Sequence, residues 1–273
     1  MKKLTFIVLV CVLIALPACK NQKKSAESST ATTEVSQQDQ QTIEALKVNV
    51  QELIASAKKI KLSSFATASK EGKIQLSDKE KMVKPNYLLS PSVAADALTL
   101  SQKYRTVAML LTDKSVAKMY DMPTNEYDVA INKLMVDIND NALTSLKDVD
   151  VYDVNAVQAA FAAVVDAEYE AGRANNLWEG IAVSTVEKLF VITRNVDKFM
   201  PMFTDESAAD ITYRFVLVHD GIQELVNNNE EMKSLNEVLA PLYKINAMNV
   251  KQLRDQLTEL KGQIEEVRKA VLK

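Results

Sequence analysis

Apolar side chains recur at helical spacing over most of this chain. They return every three or four residues in separate stretches, which predicts an all-α bundle of about six or seven helices. The first stretch, Ile43 to Ile60, and the last, Val250 to Val271, alternate spacings of three and four residues, as heptad-patterned helices do. Both carry basic residues beside the apolar stripe. We therefore expect these two helices to dock separately on the bundle.

Residue types that start and stop helices divide the pattern into elements. Gly172 and Gly180 predict a break, and Ile181 to Ile192 is apolar on nearly every side, which predicts a central buried helix. Tyr213 to Val218 has strand-like residue types, but the flanking pattern favours a helix. Glu71 to Leu89 is predicted to be a loop. The predicted N-caps are Ser90 (before Pro91), Thr124, Asp153 and Thr204.

The N-terminal stretch differs from the rest of the chain. Lys2 and Lys3 precede an uncharged apolar run, Leu4 to Leu16, which is shorter than the roughly 20 residues that a membrane span needs. Its length and flanks are typical of a secretory signal peptide. The run ends in Leu16-Pro17-Ala18-Cys19, which resembles the lipobox of bacterial lipoproteins. Leu16, Ala18 and Cys19 match that pattern, whereas Pro17 departs from it.

This resemblance implies a location. In that family the leader, here residues 1–18, is removed and the cysteine, here Cys19, is lipidated and anchors the protein to a membrane. Lys20 follows where aspartate would favour the inner membrane, so we expect the outer membrane, on its periplasmic side. Two alternatives stay open: an ordinary signal peptide with Cys19 incidental, and an uncleaved anchor.

Two segments follow the predicted leader. Residues 19–38 are rich in Ser, Thr, Gln and Lys and nearly lack large apolar side chains, which predicts a flexible lipidated tether. Residues 39–273 are predicted to form a single helical domain. Only five glycines occur in the whole chain, which argues against a turn-rich sandwich or barrel.

Composition excludes several classes of function. With 33 basic and 36 acidic residues the net charge is −3, so there is no electrostatic reason to bind nucleic acid. The two cysteines are Cys11, inside the leader, and Cys19, so the domain must fold without disulfides. His219 is the single histidine, which disfavours histidine-based catalysis, and we expect no catalytic residue, metal site or cofactor. Asp148, Asp150 and Asp153 lack the spacing and the glycine of a calcium loop and predict a turn.

A few polar residues interrupt the apolar helices and form the candidate ligand pocket. Arg194 and Arg214 fall in the most apolar helices, where a buried charge needs a partner, and we expect Glu168 and Glu187 to supply it. The alternative is a structural network, with His219 held by a neighbouring group. The candidate pocket residues are Asn175, Trp178, Arg194, Arg214 and His219.

The sequence thus favours a lipid-anchored envelope protein that acts as a non-enzymatic binding or scaffolding module. Its expected partners are the membrane, through the lipid on Cys19, and an envelope protein that the sequence does not identify. The alternative is a helical-bundle carrier of a small or apolar ligand beside Trp178. An enzyme is the third hypothesis, since the usual catalytic side chains are missing.

Overall fold

The computed structural model describes residues 49–273 except for positions 63, 147, 148, 151 and 228. Within this part the chain is helical and has no strand, which confirms the all-α prediction. The described residues belong to one compact unit. The predicted signal peptide, Cys19, the tether, Asp148 and the first residues of the heptad stretch lie outside the described residues.

The N-terminal part of the domain contains more helix than expected. Residues 49–57 form α1, and two short helices follow, α2 (Phe65–Lys70) and α3 (Asp78–Met82). The sequence predicts a loop where α3 lies. α3 forms through a capping box, in which the Ser77 amide donates to the Glu80 carboxylate at 2.8 Å and Ser77 Oγ accepts from the Glu80 amide. None of its side chains is buried, so no apolar pattern marks it.

Ser90 caps a different element from the one predicted. It starts a 3₁₀-helix, Pro91–Ala95, whereas the long helix α4 (Leu100–Met119) begins nine residues later than expected. The cause is a second capping box. Thr99 Oγ1 accepts from the Gln102 amide at 3.1 Å, and the Gln102 side chain accepts from the Thr99 amide at 3.0 Å.

Three helices follow α4: α5 (Asn125–Ile138), α6 (Asn141–Ser145) and α7 (Val154–Glu170). Asp153 caps α7 as predicted, because its carboxylate accepts from the amides two and three residues further on. Thr124 does precede α5, but its side chain makes no capping hydrogen bond.

The central helix α8 spans Ala174–Arg194. Gly172 ends α7 in the left-handed region, with φ of +69°, as the sequence predicts. The second break, predicted at Gly180, is wrong: Gly180 lies within α8, and open space surrounds the position that a Cβ would take. Residues 175–178 therefore belong to the first turns of a helix.

The chain next forms α9 (Val196–Phe199), a 3₁₀ turn and α10 (Asp205–Val226). Thr204 caps α10, as predicted, with Ser207 completing the capping box. Tyr213 to Val218 is helical, so the flanking pattern outweighs the strand-like residue types there.

The C-terminal part consists of α11 (Glu230–Leu239), a 3₁₀ turn, α12 (Val250–Glu259) and α13 (Lys261–Val271). The single last helix that the sequence predicts is thus interrupted at Leu260. The predicted apolar stripe is nevertheless buried from its second member onward: Leu253, Leu257, Leu260, Ile264, Val267 and Val271.

Two cores hold the domain together. The larger surrounds α8, which packs against α4, α7, α10 and α13. The smaller lies between the outer side of α4, the 3₁₀-helix Pro91–Ala95 and α5. The described residues contain thirteen α-helical segments, more than the predicted six or seven, because short capped helices subdivide the connections. None of the helices in this part of the chain combines the length and hydropathy needed to cross a membrane.

Candidate functional site

The five residues of the predicted pocket are spread along two helices. Asn175 and Trp178 lie in the first turns of α8, and Arg194 is its last residue. Sixteen residues separate Trp178 from Arg194, a rise of about 24 Å. Arg214 and His219 lie on α10. The structure brings Trp178 close to the His219 region of α10 and leaves Arg194 at the far end of α8.

Trp178 is sealed inside the domain. Its side chain is fully buried, and Nε1 donates to the Tyr169 hydroxyl at 2.9 Å. A Cβ on Gly221 of α10 would lie 2.1 Å from the indole ring, so the missing side chain of Gly221 is what lets α10 approach α8. Tryptophan here fills the space between two helices.

His219 and Asn175 have neighbours of their own. The His219 ring packs edge-on to Tyr243, with 4.9 Å between the ring centroids, and its Nδ1 lies 3.2 Å from the Asp220 carboxylate. Asn175 donates to the side-chain oxygen of Asn176 at 3.0 Å. Both contacts are of the kind that the structural alternative predicts.

The two arginines do not pair with the acids named from the sequence. Arg194 donates to Glu265 of α13 at 2.9 Å. Arg214 donates to the backbone carbonyl of Lys61 at 2.6 Å and lies 3.5 Å from Thr185 Oγ1. The expected pairing with Glu168 and Glu187 is wrong, because tertiary packing brings in groups from distant parts of the chain.

Glu187 belongs to a buried group that we call the Asp113 cluster: Asp113, Glu187 and Arg268. Arg268 donates to both Glu187 oxygens, at 2.7 and 2.8 Å. Asp113 accepts from the Leu89 amide at 2.7 Å. Burial, reinforced by the negative charge of Glu187, raises the pKa of Asp113 to about 9. Two carboxyl groups therefore lie together in the interior: Glu187 bonds the arginine, and Asp113 keeps its proton at neutral pH.

Phe190 connects this cluster to Arg194. The guanidinium groups of Arg194 and Arg268 lie 3.9 and 3.8 Å from the centroid of its ring. Tyr87 packs edge-on against the same ring at 6.3 Å. Such cation–π contacts favour an arginine that is partly removed from water, so Arg194 has a structural reason for its position.

Glu168 belongs to a second group of the same kind, the Glu168 cluster: Tyr104, Asp140, Glu168 and Arg173. Arg173 lies 3.1 Å from both Asp140 and Glu168, and the Tyr104 hydroxyl donates to Asp140 at 2.5 Å. Burial, together with a hydrogen bond to Asp140, raises the pKa of Glu168 to about 7. Asp140 also caps α6.

A further buried carboxylate, Glu179, lies on α8. It accepts from Ser101 at 2.6 Å and from Arg105 at 3.3 Å, both on α4. On the opposite side of α8, the buried side chain of Lys188 lies near Arg214. Burial, reinforced by the positive charge of Arg214, lowers the pKa of Lys188 to about 7. The polar groups of the interior are thus arranged in pairs and clusters that join helices.

A shallow apolar groove lies on the surface instead. It runs between the 3₁₀-helix and α5 and has a volume of about 370 Å³. Val129 lines the groove and is 69% exposed, and Val136, seven residues further along α5, is 76% exposed. The groove is lined by Pro91, Ser92, Ala94, Ala95, Asn125, Glu126, Val129, Ala130 and Lys133.

Sequence reasoning missed both the groove and the acid clusters. Asp113 carried a signal, since it is the single acidic residue of α4. Val129 and Val136 are seven residues apart on the outer face of α5, which is the period of a helix face that has a partner.

The described part of the chain contains no group of His, Cys, Asp or Glu side chains arranged to hold a metal ion. Comparison with family models, with curated proteins and with solved structures finds no match for this chain.

Proposed function

We propose that this protein is a lipid-anchored envelope protein whose helical domain is a non-enzymatic binding module. Its binding surface is the groove between the 3₁₀-helix Pro91–Ala95 and α5. The lipid on Cys19 holds it at the outer membrane, on the periplasmic side, and the tether of residues 19–38 gives the domain its reach.

The apolar, solvent-exposed character of the groove carries this proposal. Monomeric proteins tend to cover contiguous apolar surface, and what stays exposed often marks an interaction site. The groove is also held in place from within, because Tyr127, Ile131 and Leu134 of α5 are buried in the smaller core. The Tyr127 hydroxyl donates to the Leu89 carbonyl at 3.0 Å. A surface that is already ordered loses little entropy when a partner binds.

The buried acids support a non-enzymatic role. Glu187, Glu168 and Glu179 each bond an arginine that joins two elements of the bundle. Such pairs are strongly coupled to folding, since removal of one member leaves a buried charge without its partner. These three acids thus have a structural use that does not require a substrate.

The groove can be tested with a photo-crosslinking amino acid in place of Ala95, in the full-length protein in intact cells. The expected result is a discrete adduct with one protein partner. The control is the same substitution at Tyr213, which is exposed on α10. Adducts of equal yield and pattern at both positions, or none at position 95, would contradict the groove as the binding surface.

The anchor is tested separately. Cys19→Ser should remove the lipid and release the protein from the membrane fraction or leave it uncleaved, because stable anchoring depends on the acyl chains. A Cys19→Ser variant that is cleaved and fractionates with membranes like the wild type would overturn the anchor and leave the groove untouched.

A further inference from the structure

The outer face of α5 has the pattern of a helix that packs against another helix. Its exposed seam is spaced by four, three and four residues, as in one side of a coiled coil. The residues of the seam are Asn125, Val129, Asn132 and Val136. The two valines are among the most exposed large apolar side chains of the described residues.

The charged residues on the two flanks of this seam differ in whether they have an ion-pair partner. On one flank, Asp128 forms an ion pair with Lys114 of α4. On the other flank lie Asp137, Glu126 and Lys133. Asp137 lies 3.9 Å from Lys103 of α4, whereas Glu126 and Lys133 form no ion pair with any residue in the described part of the chain. They are seven residues apart, about 10.5 Å along the helix, too far to pair with each other.

These two unpaired charges are complementary to themselves under two-fold symmetry. If two copies of α5 lie antiparallel with Val129 near the axis, Glu126 of each copy is level with Lys133 of the other. A two-fold interface repeats each contact, so the arrangement makes two opposite-charge pairs. In a parallel arrangement Glu126 of one copy and Lys133 of the other would lie about 10.5 Å apart along the helices, so these pairs could not form.

We propose that two copies of this chain pair through the outer faces of their α5 helices, antiparallel, with the two copies of Val129 in contact and Glu126 paired with Lys133 across the axis. The inference rests on the proposed function, since it names the partner of the same groove. Ala94 and Ala95, beside the seam, have small side chains that let the second helix approach closely.

The pairing is weak in dilute solution and gains from the membrane. A single pair of four-turn helices buries less than the roughly 1,200 Å² of a standard stable interface. Two copies anchored in one membrane and joined to their lipids by flexible tethers meet at an effective concentration in the range of about 1 mM. The lipid therefore determines where the pair forms.

The test uses the full-length protein in intact cells with Val129→Cys, oxidised to a disulfide between two copies. The control is Val216→Cys on α10, where the valine is 51% exposed. Any adduct through Cys11 or Cys19 would appear equally in both variants. We expect a band of twice the monomer mass with Val129→Cys, and at least a tenfold weaker band with Val216→Cys.

Charge variants then test the geometry. Glu126→Lys alone and Lys133→Glu alone each bring like charges together, so the yield of the Val129→Cys dimer should fall, by about tenfold in the pairing constant. The double swap E126K/K133E should restore it. Coexpression of the two single variants should yield the mixed dimer, because their charges are again opposite.

The outcomes separate this inference from the proposed function. Equal disulfide yield at positions 129 and 216, or a yield that the charge variants do not change, overturns the pairing. If crosslinking at Ala95 then captures a different protein, the groove is still a binding surface and only the second copy is wrong. If neither experiment gives a specific adduct, both proposals fail.

Discussion

The surroundings of α8 and of α5 show two ways in which one domain treats its polar and apolar groups. Around α8 the interior contains charged groups, and Glu168, Glu179 and Glu187 each lie against an arginine. Around α5 the small core is apolar, and apolar side chains also remain on the outside. The larger region joins its helices to one another through paired charges, whereas α5 keeps an apolar surface available.

This contrast separates stability from recognition. Changes around α8 should alter the free energy of unfolding, because they disturb buried pairs and close packing. Changes on the outer face of α5 should alter association and leave folding nearly unaffected. The predictions below test that separation.

The largest effect is expected for Arg268→Met. The methionine keeps much of the apolar contact with Phe190 but leaves Glu187 buried without its cation, at a cost of about 3–5 kcal/mol. Urea unfolding of the purified variant measures it. The matched control is Arg254→Met, whose ion pair with Asp197 is exposed and should cost under about 1 kcal/mol. Equal costs would mean that burial of the Asp113 cluster does not determine its contribution.

Leu257→Ala should cost about 2–5 kcal/mol, because this side chain is fully buried between α12 and the larger core. Gly262→Ala is the control: Gly262 is exposed, open space surrounds its Cβ position, and alanine should stabilise α13 by under about 1 kcal/mol. If Leu257→Ala leaves the urea midpoint unchanged, the C-terminal helices contribute no stability to the bundle.

Stability should also fall as the pH rises from 5 to 8. Glu168 has an unfolded pKa near 4.3 and a folded pKa of about 7. The folded state therefore holds the additional proton in this window, and its stabilising effect is lost as the pH passes 7. The loss is on the order of 2 kcal/mol for this group. The raised pKa of Asp113 acts in the same direction, and the lowered pKa of Lys188 offsets part of the loss above pH 7.

Urea unfolding at both pH values, with Glu168→Gln alongside, measures this effect. The glutamine variant should depend less on pH, since it cannot ionise. A wild-type protein that is more stable at pH 8 than at pH 5 would contradict the raised pKa values of Asp113 and Glu168.

Gly221→Ala should cost about 1–3 kcal/mol, because the new methyl group would meet the ring of Trp178. Gly180→Ala, within a helix but in open space, should instead be neutral or stabilising by about 1 kcal/mol. Tryptophan fluorescence during unfolding monitors both, as Trp178 is the single tryptophan. Equal effects would show that α8 and α10 do not need their close approach.

Local chemistry explains what the sequence could predict. The caps Asp153 and Thr204 were predictable because a capping bond involves only neighbouring residues. The buried stripe from Leu253 to Val271 was predictable because its apolar residues recur at helical spacing. The start of α4 was wrongly predicted at Ser90, because the capping box of Thr99 and Gln102 starts this helix. Several local signals therefore sufficed for the fold class but not for every helix boundary.

The partners of Arg194 and Arg214 lie beyond such reasoning. Glu265 is 71 positions from Arg194 along the chain, and Lys61 is 153 positions from Arg214. No periodicity encodes contacts at that distance, so the candidate pocket could not be assembled from the sequence. The groove was missed for a related reason, since it needs the 3₁₀-helix to lie beside α5.

The smallest effect on stability is expected on the outer face of α5. Val129→Thr and Val136→Thr should each change the free energy of unfolding by less than about 0.5 kcal/mol, because both side chains are already exposed to water. Val107→Thr is the matched control. Val107 of α4 is buried in the smaller core, where the hydroxyl of the new threonine would be shielded from water. That variant should cost about 1–3 kcal/mol.

Urea unfolding at two protein concentrations distinguishes the remaining outcomes. A cost at position 129 that matches position 107 at both concentrations means that the chain itself covers this face. A cost that appears only at the higher concentration means that a second copy does.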